Sequence, residues 1–183
     1  MSVNHLRYYF NVSNLYVLSK LRLLLFPFRH PSWSRISSVS DNVYKPPRED
    51  INAPDLYIPS MAYVTYILLT GISLGKNQKF TPDVLGLTAS SAFFIVLFQI
   101  LAIKLGSYLM NISSDVSWTD LLAYCGYKFI PINLILILKF FFGSTVVYGI
   151  FFYLMLASGF FIVIILFIFI NSYELFDTWF YQK

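Results

Sequence analysis

Cys125 is the single thiol of the chain, and His5 and His30 are its two imidazoles. One cysteine makes neither an internal disulfide nor a thiolate metal site, and two histidines far apart in an N-terminal region make no ligand pair. Within an apolar helical pattern Cys125 reads as a small, buried, inert side chain. No glycine-rich phosphate loop, no Ser–His–Asp order and no HExxH motif is present. The sequence therefore points away from an enzyme and implies no metal and no cofactor.

Three charged positions keep their interest. Asp50 and Asp55 stand just before an uncharged run, Tyr63 to Leu74. Both can cap the orphan N–H groups of the helix about to begin, where an anion also suits the dipole. Pro54 keeps the preceding backbone extended, and Pro59 falls in the first turn, where a missing N–H costs least. Tyr57 supplies an amphipathic ring at headgroup level. Lys128 lies about 10 Å into a predicted third helix at about 1.5 Å rise per residue. An intramembrane lysine marks a functional position; snorkelling to the interface or a structural pairing accounts for it as well. The predicted spans Tyr63–Leu74, Val84–Ala102 and Val146–Ile170 contain no acidic residue, which argues against a proton relay.

The elements that would position these residues are membrane helices. The chain is 57% hydrophobic and 12% charged, with a mean hydropathy of +0.66, and apolar runs of about eighteen or more residues with few charges are the expected sign of spanning helices. A net charge of +4, dispersed along the chain, does not suggest nucleic acid. The leading residues lack a basic region followed by an uninterrupted apolar one, so no cleavable signal peptide is expected. The expected fold is an all-α polytopic bundle of four spans, about 59–75, 82–105, 121–142 and 146–170. A cytosolic segment, 1–57, precedes a transmembrane domain, 58–170, and a tail, 171–183, follows.

Within the N-terminal segment, Val17, Leu18, Leu21, Leu24 and Leu25 recur at helical spacing, with Lys20 and Arg22 among them. A surface helix in the interface plane fits, its basic groups toward anionic headgroups; packing against the ends of the bundle fits equally. Residues 28–50 read as a linker stiffened by Pro46-Pro47. Gly71 and Gly75 in the first span, and Gly86, Ala89, Ser90 and Ala92 in the second, form small-residue faces for helix packing, although Gly75 is equally a helix terminator. Thr81, Pro82 and Asp83 mark the start of the second helix. Lys104 and Lys139, near helix ends, snorkel. Ser117 to Asp120 reads as a capping box. In the third helix Pro131 removes an amide and frees the carbonyl of Tyr127, which predicts a kink.

The run Pro46-Pro47-Arg48-Glu49-Asp50-Ile51-Asn52-Ala53-Pro54-Asp55-Leu56-Tyr57-Ile58-Pro59 resembles the signature of the Yip-interacting-factor (YIF) family of Yip-domain membrane proteins. Phe80 to Leu87, Leu121 to Lys128, Arg7 to Phe10 and Leu24 to Pro27 match in order. That resemblance implies five spans rather than four. It also implies an adaptor in vesicle traffic between endoplasmic reticulum and Golgi, in COPII vesicles, complexed with Yip-domain proteins and Rab-type GTPases. The sequence as given begins without the long low-complexity region common in that family, which counts against direct GTPase binding. The family motif falls on Asp55, Leu56, Tyr57 and Pro59, and on Gly126, Tyr127 and Lys128, residues that either contact partners or set helix start and packing.

Seven Lys or Arg precede the first span and two lie in the first hairpin, which places the N-terminus in the cytosol. The sequons at Asn11 and Asn111 then face the cytosol too. A second function class, a small transporter or lipid-handling protein, rests on the kinked third helix and on Lys128 with its tyrosines as the lining of a polar groove.

Overall fold

The computed structural model describes residues 7–33, 35, 45–109, 117–142 and 144–180, with the backbone alone at 144, 145 and 169–180. Asn111 and the loop around it lie outside the described residues. The α-helices with both ends among the described residues are, in order, α1 (Asn14–Leu25), α2 (Tyr57–Lys76), α3 (Pro82–Leu109), α4 (Trp118–Gly126), α5 (Phe129–Phe141) and α6 (Ser144–Phe180). A 3-10 turn, Pro27–Arg29, closes α1. No strand occurs among the described residues. Four segments are long and apolar enough to cross a membrane: Tyr57–Lys76, Pro82–Leu109, Trp118–Phe141 and Val146–Ile168.

The starts of these helices follow local chemistry. Ser13 and Ser117 accept backbone N–H groups at the heads of α1 and α4. The Thr81 hydroxyl accepts Val84 N–H ahead of Pro82, the first residue of α3. The capping box is half formed: Ser117 caps, whereas Asp120 accepts from the Tyr9 hydroxyl at 2.6 Å. At the end of α2 the N–H groups of Gln78 and Lys79 bond the carbonyls of Gly75 and Leu74, and Gln78 takes φ 55°. That is a Schellman ending with glutamine in the left-handed position. Gly75 is thus an ordinary helical residue, not the terminator.

Several boundaries move. The third span begins at Trp118 and divides at Tyr127-Lys128 into α4 and α5 rather than running as one kinked helix. Pro131 has no N–H for the carbonyl of Tyr127, and Ile130 N–H takes that carbonyl at 3.0 Å instead, tightening the chain into a different turn. Helix α3 runs four residues past the expected Leu105, to Leu109. The stretch expected as a tail from Asn171 continues α6 to Phe180, because it holds no glycine or proline to stop a helix.

In an 18-residue apolar stretch of the span formed by α4 and α5, 56% of positions are buried within the chain, against 17–22% in such stretches of the other three. This broken helix is therefore the axis on which the others pack. Its Leu121, Tyr124, Cys125, Phe129 and Ile130 join Ile58 and Ala62 of α2, Val96 and Ile100 of α3, and Phe161 and Ile165 of α6 in one core. Side chains such as Phe94, Phe98, Phe152 and Val163 remain more than half exposed, as lipid-facing side chains can. Asn133 of α5 donates to the carbonyl of Ala62 at 2.8 Å, a polar tie between the two helices.

Candidate functional site

At the end of the bundle where α2 begins, α1 packs against the bundle, with Arg22 exposed and Lys20 turned in. It packs inward through Tyr16, Lys20, Leu23 and Leu24, and Lys20 is 1% exposed. The Lys20 ammonium donates to the carbonyls of Ile51, at 2.5 Å, and Ala53, at 3.1 Å. It also lies 5.4 Å from the centre of the Tyr127 ring and 5.9 Å from that of Tyr16, within reach of both π-faces. Burial pushes Lys20 down to about 8, against the pull of Asp55 and Asp50. The cation therefore persists at neutral pH.

Asp55, fully buried, is the counterpart. Its Oδ1 accepts Ile58 N–H at 2.8 Å and so caps α2. Its Oδ2 accepts the Tyr127 hydroxyl at 2.5 Å and lies 3.0 Å from that of Tyr16, which also reaches the carbonyl of Ala53 at 3.1 Å. The Tyr127 hydroxyl in turn accepts Asp55 N–H at 3.0 Å. Burial, and next the Asp55 carboxylate, pushes the Tyr16 hydroxyl far above its ordinary value, so it stays a donor. Asp50 does not cap the helix. It is buried, and its carboxylate accepts Asn52 N–H at 2.9 Å, shaping the turn that carries the carbonyls facing Lys20.

A second clasp runs alongside. The Tyr9 hydroxyl donates to Asp120 and accepts from Thr119 at 2.9 Å, while the Tyr9 carbonyl accepts Leu56 N–H at 3.2 Å. Burial and the bond to Asp120 push Tyr9 up to about 12. The residues before α1 are thereby sewn to the starts of both α2 and α4.

The motif residues from distant parts of the sequence meet here. Asp55 bonds Tyr127, and Gly126 packs on Pro59, where an added Cβ would stand 2.6 Å from the Pro59 Cβ. Leu56 is buried against Tyr9 and Ala123. Tyr57 stays exposed. Lys128 pairs: its ammonium donates to Gln99 Oε1 of α3 at 2.7 Å. The cavity among Tyr124, Tyr127, Lys128 and Pro131 holds about 20 Å³, room for about one water, so the tyrosines and Lys128 do not line the expected polar groove. Cys125 is buried, as expected.

Of the packing positions, Gly71 meets Leu85 and Phe80, and the Tyr63 hydroxyl reaches the carbonyl of Ala89. Gly75 and Gly86 have nothing within 4 Å of an added Cβ, and Ser90 is exposed with its hydroxyl returned to Gly86 and Leu87 of its own helix. This part of the small face points out of the chain rather than onto a neighbouring helix. Lys104 lies 5.4 Å from the Trp118 ring.

Sequence reasoning missed Lys20, Tyr16, Tyr9 and Asn133 as fixed polar positions. Lys20 carried a signal, a lysine flanked by helical leucines, but its partners lie 31 and 33 residues away.

Among the described residues no three His, Cys, Asp or Glu are grouped to hold a metal. The clasp presents a cation, a carboxylate and phenols with every bond directed inward, an arrangement that fastens a segment to a bundle. Fold and site define a polytopic α-helical membrane protein whose N-terminal segment is locked onto its spans. The YIF1 family model matches residues 1–175, and the chain belongs to that family. It is 48% identical over 148 residues to "Protein YIF1A" of Mus musculus, covering 81% of this chain and 50% of the relative. It is 45% identical over 146 residues to "Protein transport protein yif1" of Schizosaccharomyces pombe, covering 77% and 50%. With "Protein transport protein YIF1" of Saccharomyces cerevisiae it shares 39% over 160 residues, covering 78% and 50%. The chain spans about half the length of these curated relatives. No solved structure matches.

Proposed function

We propose that the protein is a membrane adaptor in vesicle traffic between endoplasmic reticulum and Golgi. It resides in those membranes with its N-terminus in the cytosol and works in a complex with Yip-domain proteins. Rab-type GTPases and the COPII machinery are its further partners. The observation that carries this reading is where the motif residues point. Leu56, Pro59 and Gly126, with Tyr63, Phe93 and Phe129, wall an open groove of about 280 Å³ on the outside of the bundle. Its lining is almost wholly apolar, as a membrane-embedded partner helix requires. The outward-facing Gly75 and Gly86 offer a further close-approach surface. Two relatives are named as protein transport proteins, which supports the same class.

The test is co-purification of Yip-domain proteins with the tagged chain from gently solubilised membranes. Ser60, exposed on the groove wall, gives the probe: Ser60→Trp fills the groove and replaces no residue of the clasp. Loss of the partner with monodisperse elution retained is the expected result. Undiminished recovery of the partner would place its contact elsewhere.

A further inference from the structure

A cavity of about 550 Å³ opens beside the C-terminal half of α1, walled by Ser19, Arg22, Phe26, Arg29, His30 and Ile51. Its volume is within the range of small-ligand sites, about 300–1,000 Å³. Arg22 comes from the last turn of α1 and Arg29 from the 3-10 turn, so the reversal of the chain at Pro27 brings two guanidinium groups to one opening. Each is permanently charged and presents a fork of donors that matches phosphate oxygens. Both are exposed, and neither has a carboxylate partner among the described residues. No acidic side chain is among the described residues that line the cavity.

The third polar group is held in place. Asn52 Nδ2 donates to the carbonyl of Ser32 at 3.0 Å, which leaves Asn52 Oδ1 to accept from His30 Nε2 at 3.1 Å. The ring also packs edge-on against Trp33 at 5.0 Å. The cavity wall is thus tied to the turn that carries Asp50 and the Lys20 clasp.

What lies beside the cavity separates a lipid from a soluble ligand. Phe26 and Phe28 are 49% and 53% exposed. The Phe28 ring lies 4.6 Å from Phe160, the Phe26 ring 6.1 Å from Tyr153, and the Tyr153 hydroxyl donates to the carbonyl of Leu25 at 3.1 Å. Phe160 and Tyr153 belong to the span Val146–Ile168. A cationic opening therefore adjoins exposed aromatic rings that lean on a membrane helix. An amphiphile with an anionic head needs that order of surfaces: phosphate in the opening, chains along the rings and the span.

We propose that this cavity binds the phosphate-bearing headgroup of an anionic phospholipid, with Arg22 and Arg29 as phosphate ligands and Phe26 and Phe28 beside the acyl chains. The bound lipid fastens the α1 reversal to the flank of α6.

The full chain is purified, stripped of lipid and exchanged into nanodiscs of phosphatidylcholine, alone or mixed with phosphatidylserine or a phosphatidylinositol phosphate. Lipid retained after detergent extraction is read by native mass spectrometry. Wild type is expected to retain the anionic lipid in preference to phosphatidylcholine. Arg22→Gln and Arg29→Gln should each weaken retention about tenfold, the loss of about one charge-assisted hydrogen bond. Arg22→Lys, which keeps charge but not the fork, should fall between. Arg48→Gln, at an exposed position that does not line the cavity, should retain lipid as wild type does. Equal retention of phosphatidylcholine, or unchanged retention in the Arg22→Gln/Arg29→Gln double variant, overturns the proposal. Equal loss in Arg48→Gln would reduce it to diffuse surface charge and overturn it as well. Displacement of the lipid by inorganic phosphate or a soluble inositol phosphate at matched concentration would reassign the site to a soluble phosphate. All variants are first shown to elute and melt as wild type, and Arg22→Lys keeps the test decisive if a glutamine variant does not.

Discussion

Gly126 in α4 lies so close to Pro59 in α2 that a Cβ added to it would stand 2.6 Å from the proline Cβ. Proline is a rigid ring in the first turn of a helix already capped by Asp55, so it cannot turn aside. Gly126→Ala should destabilise the protein by about 1–3 kcal/mol, the usual cost of overpacking, and lower the melting temperature in detergent. Gly75→Ala is the matched control. Nothing lies within 4 Å of its added Cβ, and alanine in a helix should be neutral or stabilise by about 0.5–1 kcal/mol. Equal melting of the two variants would mean that the Gly126–Pro59 approach is not tight.

Tyr127→Phe removes the hydroxyl that donates to Asp55 Oδ2 and accepts Asp55 N–H. The expected loss is about 1.5–3 kcal/mol, as for a hydrogen bond to a charged group. Because the bond joins the N-terminal segment to the break between α4 and α5, limited proteolysis before Pro59 should accelerate while cleavage in the α2–α3 hairpin stays unchanged. Uniform acceleration at both sites would mean global rather than local loosening.

Lys20 gives a pH dependence. Its folded pKa is lowered to about 8 from an ordinary 10.5. Between those values the unfolded chain binds the proton that the folded chain has lost, so stability rises with pH, by at most about 1.4 kcal/mol per unit. The groups facing Lys20 are Asp55, Asp50 and Arg35, with Tyr16 and Tyr127 presenting ring faces. The difference in stability between wild type and Lys20→Met should therefore shift in favour of wild type from about pH 8 to about pH 9.5, below the onset of tyrosine ionisation near 10. A difference that is flat with pH would show that Lys20 titrates as an exposed lysine does.

The Lys128–Gln99 bond, 2.7 Å long, crosses between α5 and α3 at the helix break. Lys128→Leu should leave membrane insertion intact yet cost about 0.6–1.7 kcal/mol, as for polar pairs between membrane helices. A double-mutant cycle with Gln99→Leu should return a coupling of that size. Zero coupling would leave Lys128 a snorkelling side chain.

Topology is open to a direct test. With the N-terminus cytosolic, the α2–α3 hairpin is lumenal, and an acceptor site placed after Asn77 with a short spacer should be glycosylated. A matching site inserted within 113–115 should stay bare. The reverse pattern would invert the chain and remove the cytosolic role of the N-terminal segment.

The sequence by itself determined which stretches are apolar enough to cross a membrane and, at Thr81-Pro82 and Ser117, where two helices start. Apolar run length, Thr81-Pro82 and Ser117 act within a few residues and the structure follows them, whereas the kink expected from Pro131 is a break at Tyr127-Lys128. The motif spelling out Asp55, Pro59, Gly126 and Tyr127 was equally legible as a pattern. Their meeting was not, because Asp55 and Tyr127 are 72 residues apart and no periodicity carries information over that distance. The same reason explains Lys20. Helical spacing placed it on a face with leucines, which fitted headgroups and the ends of the bundle equally. The tertiary structure turned it inward, since the turn at Asp50 and Asn52 supplies two carbonyls, and the Asp55 carboxylate and two tyrosine rings offset part of the desolvation. Gly75 and Gly86 show the converse. Their small size was plain, but whether a neighbour occupies the space is decided by how four helices pack, and α4–α5 took the central place instead.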